Sequence, residues 1–273
     1  MARMHNATTI AIGDLLHAEF RAVADWLERH EATHFADGAA AFAAYDSAAP
    51  WQWIFLLAPN RATFDQPSVE RLHRACPLAR LVQVCGSWCE GETRSGKALA
   101  GVTRVAAHQF LPRAAAVASR TADYGGWTLP RTATPVDIAL HSRLLPVSAS
   151  DALVAVVTDL RDDYLALAAG LHACGIEAER GSATQLSPTA QAILWNGRSL
   201  DPASQRALVS LVSSAGGRPL IALFDFPRRE ERALAAELGA AAVIAKPFLL
   251  GDLRSELVRL GLAVQALPSR QAG

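Results

Sequence analysis

Lys246 is the residue whose placement points most directly to chemistry. It follows the apolar run Ala241 to Ala245 and precedes Pro247, which withdraws a backbone donor and closes strand pairing. A cation is thereby delivered to the carboxyl end of a strand, the edge of an open parallel sheet at which ligands bind. A second candidate is Gly91-Glu92-Thr93-Arg94-Ser95-Gly96-Lys97, which has the glycine and lysine spacing of a phosphate-cradling loop. Ala98 stands where the magnesium-binding hydroxyl belongs, and no helical period follows to aim backbone donors at a phosphate. The better-supported reading is a glycine-rich surface loop in which Arg94 and Lys97 remain available to an anion. Cys85-Gly86-Ser87-Trp88-Cys89, with His73 or His108, has metal-ligating residue types but lacks the second close pair of a zinc site. No metal is expected, Cys85 reads as core and Cys89 as a loop thiol. No nucleophile elbow accompanies lone histidines such as His17 and His141. Trp88 and Trp127 fall in predicted loops, where they serve as interface anchors or, the favoured reading, pack under the linker.

The elements that must position these residues alternate between strand and helix. Pro219 to Phe248 reads as a complete β-α-β unit. Leu220 to Phe224 is a strand buried on both faces, Arg228 to Leu238 a helix stopped by Gly239, and Ala241 to Ala245 a second strand. Before it, Leu153 to Val157 is a strand, and Arg161 to Cys174 a helix burying Tyr164, Leu167, Leu171 and Cys174. Ile176 to Arg180 and Ile193 to Trp195 are strands too close together for a full helix between them, so a turn is expected there. Asp201-Pro202 opens the next helix, and Asp252 to Gly261 forms the last.

The first half repeats this order. Thr8 to Ile12 is a strand, followed by a helix with Leu16, Phe20, Val23 and Leu27 on one face. Thr33 to Ala36 is a strand and Ala39 to Tyr45 a helix. Trp53 to Leu57 is the third strand, and a helix capped by Asp65 or Ser68 buries Val69, Leu72 and Cys76. Arg80 to Cys85 and Val102 to Ala107 are strands, joined by Gly86 to Gly101, which has no helical period and is expected to be a loop. Ala114 to Ser119 continues as a short helix. Ala58 to Asn196 and His108 to Lys246 both span 138 residues, which marks the halves as a divergent repeat.

Pro219 to Phe248 resembles, without gaps, the fourth strand, fourth helix, fifth strand and following Lys-Pro-Phe of the response-regulator receiver domains of phosphorelays. The match includes Gly239-Ala240, and Ala36-Asp37-Gly38 is similar to a turn common in receivers. The resemblance implies a five-stranded sheet, an acidic pocket for magnesium, an aspartate that takes a phosphoryl group and a lysine that contacts it. In the second half it places Thr158 and Asp159 at the acidic pair, Asn196 at the acceptor, Phe224 at the hydroxyl position and Lys246 at the lysine. An amide is not the nucleophile a carboxylate is, and a phenyl ring cannot hydrogen-bond a phosphoryl oxygen. In the first half Asp14 matches the retained acid, Ala58 the acceptor, Cys85 or Gly86 the hydroxyl and His108 the lysine. Both halves are therefore expected to be phosphorylation-incompetent, with Asp201 and Asp225 the nearby carboxylates that near-contact geometry would have to recruit instead.

Length and composition set the frame. Residues 273 in number suit two domains, and 51% apolar residues supply a core for each. The expected architecture is α/β, two flavodoxin-like, receiver-like domains, each a mainly parallel sheet of about five strands flanked by helices. The expected bounds are 1–118, a linker at 119–150 broken by Pro130, Pro135 and Pro146, 151–265, and a tail at 266–273. The 26 basic and 26 acidic residues cancel without a dense basic tract, so nucleic-acid binding is not expected. No apolar stretch approaches the roughly 20 residues that span a bilayer, and the N-terminus lacks a secretion-signal order. A cytoplasmic protein with four reduced cysteines is expected. The expected function is a non-catalytic signalling adaptor or regulator without cofactor. Its partners would be proteins, a sensor kinase or other signalling protein, or a second copy in a homodimer. The rivals are a small-ligand or anion-binding protein or enzyme centred on the 86–101 loop and His108, and a receiver phosphorylated at a relocated aspartate.

Overall fold

A computed structural model describes residues 8–89, 98–118, 126–143 and 150–263. The chain divides into two compact units, Met1–Leu145 and Pro146–Gly273. The division falls inside the segment read as linker.

In the first unit five parallel strands lie in the order β2-β1-β3-β4-β5. They are β1 (Thr9–Ile12), β2 (Thr33–Phe35), β3 (Trp53–Ala58), β4 (Arg80–Cys85) and β5 (Thr103–Ala106). β3 is buried along its whole length, because helices cover both faces of a parallel sheet. Its side chains alternate accordingly. Phe55 and Leu57 pack with α1 (Arg21–Arg29) and α4 (Ala107–Ala118), while Ile54 and Leu56 pack with α2 (Gly38–Ala43) and α3 (Gln66–Ala75). Asp37 and Asp65 cap α2 and α3 by accepting the backbone N–H of Ala40 and Ser68 at 2.8 and 2.9 Å. A further helix, α5 (Pro135–Arg143), follows Trp127.

Two expectations change here. Leu16 leaves the helical stripe and is 95% exposed, because Asp14 Oδ1 accepts the Leu16 N–H at 2.8 Å and the chain makes a 3₁₀ turn at Ala18–Phe20 before α1 begins. The short helix expected at Ala114 is the end of the longer α4, which starts directly after β5. Between β4 and β5 the described residues include a 3₁₀ turn at Ser87–Cys89, and the middle of the segment expected as a loop, 90–97, lies outside the described residues.

The second unit has the same order, β7-β6-β8-β9-β10, again all parallel. Its strands are β6 (Leu153–Val157), β7 (Glu177–Gly181), β8 (Ala192–Asn196), β9 (Leu220–Asp225) and β10 (Ala242–Lys246). α6 (Arg161–Ala173) and α9 (Leu250–Arg259) cover one face over Val154, Val156, Leu194 and Leu223. α7 (Pro202–Ser214) and α8 (Arg229–Glu237) cover the other over Ile193, Ala222 and Phe224. The connection from β7 to β8 is a turn held by Ser182 and Gln185, which exchange backbone hydrogen bonds at 3.0 and 3.2 Å. In this order the chain leaves β6 toward β7 on one side and returns to β8 on the other. The carboxyl ends of β6 and β8 therefore border the crevice where doubly wound sheets bind ligands.

Candidate functional site

In the second unit Asn196 ends β8 and Lys246 ends β10, and the two meet across the end of β9. Lys246 Nζ donates to Asn196 Oδ1 at 2.9 Å and to the Gly197 carbonyl at 2.7 Å. Its ion-pair partner is Asp225, at 3.0 Å. The sheet register explains that choice, since Lys246 lies directly beside Asp225 on the neighbouring strand. Asp159 is exposed on the loop after β6, and its backbone carbonyl accepts from Arg180 Nη2 at 3.4 Å. The surviving carboxylate of the expected pair is thus not the one that meets the lysine.

The amide of Asn196 has its other half engaged as well. Nδ2 donates to Asp163 Oδ2 at 2.9 Å and to Thr158 Oγ1 at 3.3 Å. Asn196 therefore joins a cation on one side to an anion on the other, which an amide can do because it carries both donor and acceptor. Thr158, Asn196 and Lys246 are brought together, and Asp163 and Asp225 complete the group. Asp163 escaped the sequence reading. It lies in the first turn of α6, where acidic residues serve the helix end as readily as a site, and the available signal was an amide at a strand end that needs an acceptor.

Phe224 closes the floor. It is buried, meets the Trp195 ring edge-on with centroids 5.6 Å apart, and lies so close to Gly197 that a Cβ there would fall 2.7 Å from its ring. Asp201 is committed elsewhere. Its Oδ1 accepts the Ala203 and Ser204 N–H groups at 2.9 Å each as the cap of α7, and these bonds, that of Ser204 first, hold its carboxyl below the ordinary value.

The corresponding edge of the first unit is arranged differently. Ala58 is fully buried, and its carbonyl accepts the Gly86 N–H at 2.8 Å and the Cys89 thiol at 3.2 Å. Cys89 is accordingly core and not the expected loop thiol, since it is 2% exposed. Asp14 is exposed and spends its carboxylate on the turn at Leu16. The carboxylate that reaches this edge is Glu19, whose two oxygens take the Ser87 N–H at 2.7 Å and the Ser87 hydroxyl at 2.9 Å. No spacing in the sequence announced that clamp. Gly86 is fixed by closeness, because a Cβ there would fall 2.8 Å from the Pro59 carbonyl oxygen. His108 sits in the first turn of α4, half-buried, and not on an extended segment like that of Lys246. Trp127 is 1% exposed and packs on Phe55 and Phe110, whereas Trp88 is 70% exposed. Arg94 and Lys97 lie outside the described residues.

Among the described residues no group of three or more His, Cys, Asp or Glu side chains is arranged to hold a metal ion. No helix among them is long and apolar enough to cross a membrane.

No protein-family model matches the chain, and no curated protein does. Solved structures similar to it include response regulators, their receiver domains and putative pilus assembly proteins. A CheY-like response regulator from Mesorhizobium loti is 15% identical over 40% of this chain and 98% of its own, with a TM-score of 0.32. A response regulator receiver protein from Pseudoalteromonas atlantica is 21% identical over 40% of this chain and 95% of its own, with a TM-score of 0.35. A chemotaxis response regulator from Vibrio cholerae is 19% identical over 40% of this chain and 98% of its own, with a TM-score of 0.34.

Proposed function

We propose that this protein is a non-catalytic signalling adaptor or regulator whose two receiver-like units bind protein partners without being phosphorylated. The observation that carries the reading is the engagement of Lys246. Its ammonium is shared among a neutral amide, a backbone carbonyl and Asp225, so the cation that would meet an incoming phosphoryl group is already satisfied. Asn196 offers no carboxylate to attack phosphorus. Phe224 supplies no hydroxyl, and the equivalent edge of the first unit is closed by Ala58 and the Glu19–Ser87 clamp. An edge that cannot switch still leaves two helix-covered sheets whose outer surfaces are available for docking. The partners on this reading are cytoplasmic signalling proteins, a sensor kinase among them.

The test is intact mass spectrometry of the purified protein after incubation with magnesium and a small phosphodonor such as acetyl phosphate. An unchanged mass supports the adaptor reading. A phosphoryl-sized gain, lost in Asp159→Ala or Asp225→Ala, would replace it with a receiver whose acceptor has moved.

A further inference from the structure

Asn196 is followed by Gly197, and the groups around the pair are arranged for a second kind of chemistry. The geometry points to Asn196 as a modification site: its side-chain amide is lost by ring closure onto the Gly197 backbone nitrogen, with Lys246 as the electrophilic aid, leaving a carboxylate at this position. The inference is independent of the adaptor reading, because it uses only groups in contact here and water.

The step balances as follows. The Gly197 nitrogen forms a bond to Asn196 Cγ and gives up its proton, the Cγ–Nδ2 bond breaks, and the departing nitrogen leaves as ammonia with that proton. Water then opens the five-membered imide at either carbonyl to give an aspartyl or isoaspartyl residue. Nothing is oxidised or reduced.

Two observations favour this pair. Lys246 Nζ sits 2.9 Å from Asn196 Oδ1, the oxygen on which negative charge gathers when Cγ is attacked, and a fixed cation at a developing oxyanion lowers the barrier. Gly197 has no side chain to obstruct ring closure, and the Phe224 ring beside it keeps the position glycine. Asn60 provides an internal contrast. It is followed by Arg61, and its Oδ1 accepts the Ala62 N–H at 3.0 Å instead of a cation.

The product changes the site's charge. The bond that Nδ2 donates to Asp163 is lost, and two carboxylates then face each other beside one ammonium. The junction gains one negative charge at the sheet edge where a cation or partner would read it.

The test follows the mass of the peptide containing Asn196 during storage of the full-length protein in mildly alkaline buffer, folded and in urea. The expected result is exchange of –NH2 for –OH at Asn196 faster in the folded than in the denatured protein, with Asn60 unchanged. Folded Lys246→Met is expected to react no faster than the denatured chain. Asp225→Asn, which leaves Lys246 to Asn196 and Gly197 alone, is expected to react faster than the native protein and serves if Lys246→Met does not fold. A folded protein that loses the amide no faster than its denatured form overturns the inference, as does an unchanged rate in folded Lys246→Met or a slower one in Asp225→Asn.

Discussion

The ammonium of Lys246 lies 3.0 Å from the carboxylate of Asp225, its direct neighbour across β9 and β10. The pair is unequal in surroundings, since the side chain of Lys246 is 23% exposed and that of Asp225 51%. Removing the cation strands the Asn196 and Gly197 oxygens, whereas removing the anion leaves a lysine that keeps two partners. We expect Lys246→Met to cost about 1–3 kcal/mol, the range for a stranded buried acceptor. Asp225→Asn should cost under about 1 kcal/mol, as half-exposed ion pairs do. Urea unfolding checks the order, and equal losses would show that the ion pair and not the amide network holds this edge.

Magnesium should separate the native protein from Asn196→Asp. In the native protein Asn196 is neutral and Lys246 supplies the cation beside it, so the thermal midpoint is expected to be insensitive to magnesium. In Asn196→Asp a new carboxylate faces Asp163, and a hard divalent ion relieves that repulsion. A magnesium-dependent rise in Tm is expected in the variant alone, measured by thermal scans with and without the ion.

Gly86→Ala and Gly38→Ala should move stability in opposite directions. A Cβ at Gly86 meets the Pro59 backbone oxygen at 2.8 Å, which cannot rotate away, and overpacking of this kind costs about 1–3 kcal/mol. A Cβ at Gly38 meets nothing within 4 Å in the first turn of α2, and there alanine gains about 0.4–1 kcal/mol by restricting the unfolded chain. Denaturant midpoints check both.

Mild acid should weaken the first unit through His73. Burial first, and then the charge of Arg131, hold its imidazole below the ordinary 6.5, partly opposed by the bond to the Gly101 carbonyl at 3.0 Å. The folded state therefore resists protonation more than the unfolded chain does. This contribution to stability is complete above pH 6.5 and is lost as pH falls toward the depressed folded value. Tm recorded across that interval should fall in the native protein and fall less in His73→Gln.

Thiol reagents should find no target until the protein unfolds. Cys76, Cys85, Cys89 and Cys174 are all buried thiols outside any disulfide, and burial pushes the Cys174 thiol up to about 11 despite the nearby Arg254. Labelling in native buffer is expected to be negligible and to reach every cysteine in denaturant. Rapid native labelling would show local opening.

The β-α-β unit at Pro219–Phe248 was legible because both strands are uninterrupted apolar runs and Gly239 and Pro247 punctuate them. The caps Asp65 and Asp201 were legible for a similar reason, each standing just ahead of a helix with proline in its first turn. The full extent of α4 was not, since Pro112 lies inside it and its beginning reads as the end of a strand. Leu16 fits the helical period yet lies in a turn, because Asp14 captures its backbone first. The partners of the site depended on register. Asp159 follows β6 and Asp225 ends β9 at the same edge, and it was the alignment of β9 with β10 that selected Asp225. Asp163 and Glu19 reach their targets across 33 and 68 residues of sequence, and local pattern carries no trace of such distant pairings.

Trp127, set against Trp53, Phe55 and Phe110, gives the first unit a late-arriving keystone. All five strands of that unit are synthesised before this ring leaves the ribosome. A nascent chain stopped at Ala118 would carry a complete sheet with an uncovered aromatic hollow, a natural place for a chaperone to hold, and a truncation chosen at the end of α4 for expression would inherit the same sticky surface. A cut placed beyond Arg143 retains the lid.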